Sequence, residues 1–130
     1  MKGVKLVFGL ICEDVRFELN GRISIIGEGN IFYLSQVPAT LPLCILTKWA
    51  GPPGDSGLVA LQMISPDSTM PVLMCQQEIE LSMADLDTSF GGTVNKLPWQ
   101  IQTTGVHQIR ILFNGEEYGR IDLMIKKENL

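Results

Sequence analysis

Two side chains could in principle support nucleophilic chemistry: Ser56, set between glycines in Gly54-Asp55-Ser56-Gly57, and the single histidine, His107. Acyl transfer by a serine needs a base within hydrogen-bond reach, a carboxylate to orient that base, and oxyanion donors. Here the histidine follows the serine, the reverse of the order in the proteases that carry these letters, and the chain is short for such an enzyme. The segment reads as a glycine-rich turn. His107 opens a strand whose alternation puts it on the face of Ile109 and Ile111, which predicts a partly buried rim histidine with one hydrogen bond. No other ligating residue is spaced to converge on it, so the reading is of no metal and no cofactor. Asp85-Leu86-Asp87 and Glu13-Asp14 could offer hard oxygens, but neither has the spacing of a calcium loop, and they read as solvated turn carboxylates. Trp49, Trp99 and Tyr118 are the candidate ligand or interface residues. Exposed together in a concavity they would make a sugar-stacking platform; buried, they are core.

The elements that must position these groups are strands. Period-two alternation runs through the chain, and no window of ten or more residues holds the 3.6-residue helical pattern. Strands are expected near 4–12, 14–19, 22–27, 30–34, 43–50, 57–65, 72–83, 94–102, 106–113 and 117–126, bounded by Gly, Pro, Asn or Asp. Ile79, Leu81 and Met83 alternate with Glu78, Glu80 and Ser82, one face for the core and one for water. Gln36 to Pro42 reads as an extended crossover and Ala50 to Asp55 as a mobile loop tip. Gly27-Glu28-Gly29-Asn30 and Gly91-Gly92 read as turns, since neither leads from a strand into a helix as a phosphate-binding loop does.

Parity sharpens the reading of the two Asn-Gly pairs. A two-residue loop at Asn20-Gly21 would set Leu19 opposite Arg22 and turn the two apolar sets to opposite faces. A three-residue loop ending at Gly21 instead pairs Glu18 with Arg22, Phe17 with Ile23 and Val15 with Ile25, all apolar side chains on one face. At Asn114-Gly115 the same conflict sets Ile109, Ile111 and Phe113 against Ile121, Leu123 and Ile125. It is resolved by a loop of odd length or by a bulge at Gly119.

The stretch Ile11-Cys12-Glu13-Asp14-Val15-Arg16, followed by Asn20-Gly21-Arg22-Ile23-Ser24-Ile25-Ile26-Gly27, resembles the opening of an uncharacterised bacterial family of small β-sandwich proteins. The likeness continues at Pro38-Ala39-Thr40-Leu41-Pro42 and through Gly105-Val106-His107-Gln108-Ile109-Arg110-Ile111-Leu112-Phe113-Asn114-Gly115. The resemblance implies a β-sandwich and, as that family has no assigned activity, transfers no catalytic or binding residue.

Composition narrows the remaining choices. A length of 130 residues suits one domain spanning 1–130. The pattern predicts an all-β, two-sheet antiparallel β-sandwich, Ig-like or jelly-roll-like, with little or no helix. A formal charge of −4 gives no footprint for gripping phosphates, so no nucleic-acid partner is expected. No stretch approaches the roughly 20 apolar residues of a membrane helix, and the apolar run before Cys12 is a poor signal core ending at bulky Ile11; the reading is of no membrane and a cytoplasmic protein. Charged residues make up only 18% while apolar runs at Val4 to Cys12, Leu43 to Leu46 and Leu58 to Ala60 fill both faces of their strands, so a further polypeptide is expected to cover one face. The function expected is thus a non-enzymatic structural or protein-interaction module, a homo-oligomer or the partner of another protein; the alternative is a small-ligand or carbohydrate-binding sandwich. Cys12, Cys44 and Cys75 are odd in number and sit in apolar runs, which predicts reduced thiols. Thiol titration of the denatured, unreduced protein should therefore count all three; a count of one would contradict this reading.

Overall fold

Apolar alternation on long strands, with turn residues between them, gives a fold built from layers of sheet. A computed structural model describes residues 3–19, 22–81 and 89–128 of the chain. These hold ten strands and no helix: β1 (Lys5–Cys12), β2 (Asp14–Phe17), β3 (Ile23–Ile26), β4 (Ile31–Leu34), β5 (Ala39–Gly51), β6 (Ser56–Ile64), β7 (Val72–Glu80), β8 (Ser89–Ile101), β9 (Gly105–Phe113) and β10 (Glu116–Lys127). One sheet has the order β1-β5-β8 and a second the order β4-β10-β9-β6-β7, while β2 and β3 form a separate two-stranded hairpin. The all-β reading stands. It needs two corrections: β4 runs parallel to β10, and the hairpin makes a third, smaller layer beside the two sheets.

The main core lies between the two large sheets. β5 contributes Leu41, Leu43, Ile45 and Trp49 from one side, and β6, β9 and β10 contribute Leu61, Ile109, Ile111 and Leu123 from the other. Opposing register delivers these side chains to the same face, with Leu61 opposite Ile111 and Met63 opposite Ile109. A second, smaller core joins Cys12, Val15, Cys44 and Leu46, with Phe8, Leu10 and Val94 against them. It lies on the outer face of the β1-β5-β8 sheet, under the hairpin. The cover that the apolar run Leu43 to Leu46 requires is therefore supplied, for Cys44 and Leu46, by the chain itself through Val15.

Both hairpin parities resolve as the apolar faces demand. Phe17 pairs with Ile23 and Val15 with Ile25, and the Glu18 amide donates to the Arg22 carbonyl at 2.8 Å, which leaves a three-residue connection. Asn20 and Gly21 themselves lie outside the described residues. In the second hairpin Asn114 and Gly115 both have positive φ, 50° and 83°, as a tight two-residue turn whose twist suits the strands requires. Parity is then restored by a bulge: Glu117 opposes Leu112 but Gly119 opposes Ile111, so Tyr118 is the extra residue.

Two strands begin well before the sequence reading places them, each because of a pairing partner. β5 begins at Ala39, within the expected crossover, because Ala39 and Thr40 pair with Ile101 and Gln100. Pro42 and Pro98 sit opposite one another inside strands, where the missing N–H does no harm: β8 is a sheet edge, and β1 ends opposite Cys44, short of Pro42. Gly91-Gly92 is strand β8 rather than a turn, paired with Trp49 and Lys48. The loop after β5 is tied down, the Gly54 amide donating to the Leu81 carbonyl and the Leu81 amide to that of Asp55. Ile79 and Leu81 are buried and Glu78 and Glu80 exposed, as expected; Ser82, Met83, Asp85 and Asp87 lie outside the described residues.

Inside the main core, the Trp49 indole N–H donates to Thr47 Oγ1 at 2.9 Å, and Thr47 and Thr93 share a hydroxyl–hydroxyl hydrogen bond of 2.6 Å. All three residues are buried. Thr47→Val would leave the indole N–H without its acceptor and Thr93 without its partner, so chemical denaturation should show a loss of about 1–3 kcal/mol, the cost of stranding a buried polar group. Thr47→Ser, which keeps the hydroxyl, should lose less. Equal losses in the two variants would rule out the hydrogen bonds as the cause.

Candidate functional site

The fold keeps apart Ser56 and His107, the residues whose types suit nucleophilic chemistry. Gln108 opposes Ile64 across β9 and β6, so His107 faces position 65, while Ser56 begins β6 nine residues away. At about 3.3 Å per residue of strand the two are about 30 Å apart, far outside hydrogen-bond reach. His107 is fully buried (1% exposed) rather than at the rim, and its Nδ1 lies 3.2 Å from the Gly105 carbonyl oxygen. Nε2 is buried with no partner among the described residues. Burial pushes the His107 pKa below its ordinary value, partly opposed by the Gly105 carbonyl and the charge of Asp67. Cys12 and Cys44 stand opposite one another across β1 and β5 as free thiols. Burial, helped by the adjacent Cys44, pushes the Cys12 thiol up to about 11, so it is protonated at neutral pH and a poor nucleophile. Among the described residues no cluster of three or more His, Cys, Asp or Glu is arranged to hold a metal ion.

The tryptophans do not form a platform. Trp49 is wholly buried because odd-numbered residues of β5 point into the main core. Its ring packs on Phe113 with centroids 5.1 Å apart and on Tyr118 at 5.4 Å. Tyr118, the bulged residue of β10, caps this cluster at the rim and is 37% exposed. Trp99 is half-buried opposite Leu41, eight positions along β5 from Trp49. That spacing is about 26 Å, so the two indoles cannot share one ligand.

The outer face of the five-stranded sheet is polar and internally bonded. Arg110 donates to Glu117 Oε1 at 2.6 Å and to Gln62 Oε1 at 2.9 Å; Arg120 donates to Glu117 Oε2 at 2.8 Å and to Gln108 Oε1 at 2.8 Å; Gln108 donates in turn to Asp122 at 3.1 Å. Arg120 first and Arg110 second hold the Glu117 carboxyl down at about 2. These groups satisfy one another across β6, β9 and β10.

The opposite side of the molecule is different. The hairpin meets the β1-β5-β8 sheet at its base, where Val15 is buried and Asp14 forms an ion pair with Lys96, and it stands away from the sheet toward its turn. The result is a groove of about 600 Å³, with Phe17, Ile23 and Ile25 on the hairpin wall and Leu46, Phe90 and Val94 on the sheet. Phe17 is 73% exposed, and Ile23, Ile25 and Phe90 are exposed as well. Gly92, between Phe90 and Val94 on the outward row of β8, leaves a notch in the floor. A Cβ there would come within 2.7 Å of the Thr47 carbonyl oxygen. Among the described residues that line the groove Lys48, opposite Gly92, is the one that carries a charge, its Nζ 5.0 Å from the centre of the Phe90 ring. Sequence reasoning missed this groove. Parity put Val15, Phe17, Ile23 and Ile25 on one face, but alternation does not say whether that face is fully covered.

The sequence profile of a described family matches residues 7–126 of the chain. The chain belongs to DUF6941, a family of unknown function. No curated protein matches it. Among solved structures, this DUF6941 chain is similar to a β-glucosidase from Listeria innocua in complex with glucose, with a TM-score of 0.59 and 8% identity over 99% of this chain and 17% of that one. The same enzyme without ligand, and its D270A mutant with laminaribiose, each give a TM-score of 0.60 at 8% identity. The chain spans under a fifth of the glucosidase, and at this identity the likeness is one of fold alone.

His107 makes one prediction for pH. In the unfolded chain it titrates near its ordinary value of about 6.5, and in the folded DUF6941 chain lower. Below about 6.5 the unfolded state binds more protons, so stability present above that pH is lost as pH falls toward the folded value. His107→Leu should flatten the stability profile just below pH 6.5 while leaving the steeper loss at carboxylate pKa values. An unchanged slope in that window would contradict the assignment.

Proposed function

We propose that this DUF6941 chain is a non-enzymatic module that works by associating with a polypeptide, and that the hairpin groove is the associating face. The carrying observation is the contrast between the two outer faces. The five-stranded sheet satisfies its own polar groups, whereas the groove leaves Phe17, Ile23, Ile25 and Phe90 in water around an apolar floor. Exposed apolar groups converging on one concavity mark an interaction site, and they contribute most when a partner desolvates them. An apolar segment with a single anion suits the lining, because Lys48 is its one charge among the described residues. A carbohydrate suits it poorly: the aromatic groups there are phenylalanines, and the Thr47 hydroxyl is already committed to Trp49 and Thr93.

The test is a pair of substitutions read by the biological role in the native host. Ile23→Asp, on the exposed groove wall, should abolish the role while leaving the fold intact by circular dichroism, and Ser56→Ala should leave the role unchanged. The reverse pattern would remove the association reading and restore an enzymatic one.

A further inference from the structure

The groove calls for an apolar segment that carries a carboxylate, and the chain displays one just beyond it. Phe17-Glu18-Leu19 runs along β2 into the turn: Leu19 is 100% exposed, Phe17 largely so, and Glu18 lies between them, its Oε2 accepting a 2.6 Å hydrogen bond from Ser24 Oγ. That bond fixes the carboxylate on the flank of the hairpin. The segment cannot enter its own groove. Phe17 already forms the wall, and Glu18 is already paired across the hairpin, its amide donating to the Arg22 carbonyl.

We infer that the occupant of the groove is the Phe17-Glu18-Leu19 tip of a second copy, exchanged reciprocally about a two-fold axis; this rests on the groove being the associating face. Knob and groove belong to the same hairpin and the same side of the molecule, as a self-complementary contact requires. One two-fold operation covers both in both copies. A different partner lying in the groove would leave the Leu19 knob in water unless it brought a groove of its own. Charge fits as well as shape. Leu19 of one copy enters beside the Gly92 notch, between Phe90 and Val94, and Glu18 comes to the mouth, where Lys48 stands over the Phe90 ring. A carboxylate and an ammonium meeting at the rim of a desolvated contact set its register more than its strength.

Light scattering on the full chain across a dilution series tests this directly. The expected result is a mass twice the 14.4 kDa of one chain, falling to one chain on dilution. Leu19→Asp, a change at a fully exposed position, should give a monomer with unchanged circular dichroism. Lys48→Glu and Glu18→Lys should each weaken the dimer, and the double variant Lys48→Glu/Glu18→Lys should restore it, because each copy then offers the swapped charge to the other. A dimer indifferent to all of these would overturn the proposed contact. A monomeric parent protein would overturn the second copy as occupant, and binding of an apolar dye then shows whether the groove itself is a site. Dye binding lost in Ile23→Asp would keep the groove as a site for another polypeptide, and absence of dye binding would remove the groove reading too.

Discussion

Leu43, Cys44, Ile45 and Leu46 follow one another in β5, and a strand turns successive side chains to opposite faces. All four are buried, so apolar cover is required on both sides of the β1-β5-β8 sheet. On one side the five-stranded sheet provides it, in the register that sets Leu61 and Ile111 in the same core as Ile45. On the other side the chain folds β2 and β3 back over β5, and Val15 closes a second core on Cys12, Cys44 and Leu46. The separate hairpin, the buried cysteine pair and the groove all follow from the need to cover β5 twice. The hairpin is too short to cover the sheet out to Lys48 and Phe90, and the groove is the part left open.

The same constraint explains where regularity breaks. The Tyr118 bulge keeps Ile121 and Leu123 on the core face behind a two-residue turn, and it also delivers an aromatic ring to the edge of Trp49. The Trp49–Thr47–Thr93 hydrogen bonds place polar atoms inside the main core, and they are tolerated because each has a partner. His107 is the exception, with an imidazole nitrogen buried and unmatched among the described residues. It lies at the far end of β9 from Ser56, so the unmatched imidazole is out of reach of that hydroxyl.

How much could be read from sequence divides along a physical line. Period-two alternation and turn residues locate the ten strands of the described residues, and parity dictates the Phe17–Ile23 register and an irregularity near Gly119. Those are local properties, settled by which side chains must share a face. Alternation is silent on what lies behind a face. It could not say that Val15 covers Leu46, that β8 continues through Gly91-Gly92, or that Trp49 and Trp99 point inward at opposite ends of one core. Trp49, Trp99 and Tyr118 are candidates by residue type, and type does not report burial. The groove residues were visible as an apolar hairpin face, but their exposure depends on the small area of one hairpin over a sheet of three strands.

The hairpin is anchored at Val15 and open at Phe17, and the proposal is that a second copy closes it. Isotope-filtered nuclear Overhauser spectroscopy on mixed labelled and unlabelled protein separates contacts within a chain from contacts between chains. The account predicts intramolecular cross-peaks from the Val15 methyls to Leu46, together with intermolecular cross-peaks from the Leu19 methyls to the Phe90 ring. Val15–Leu46 cross-peaks with no intermolecular Leu19–Phe90 signal, in a sample shown to be dimeric, would contradict it.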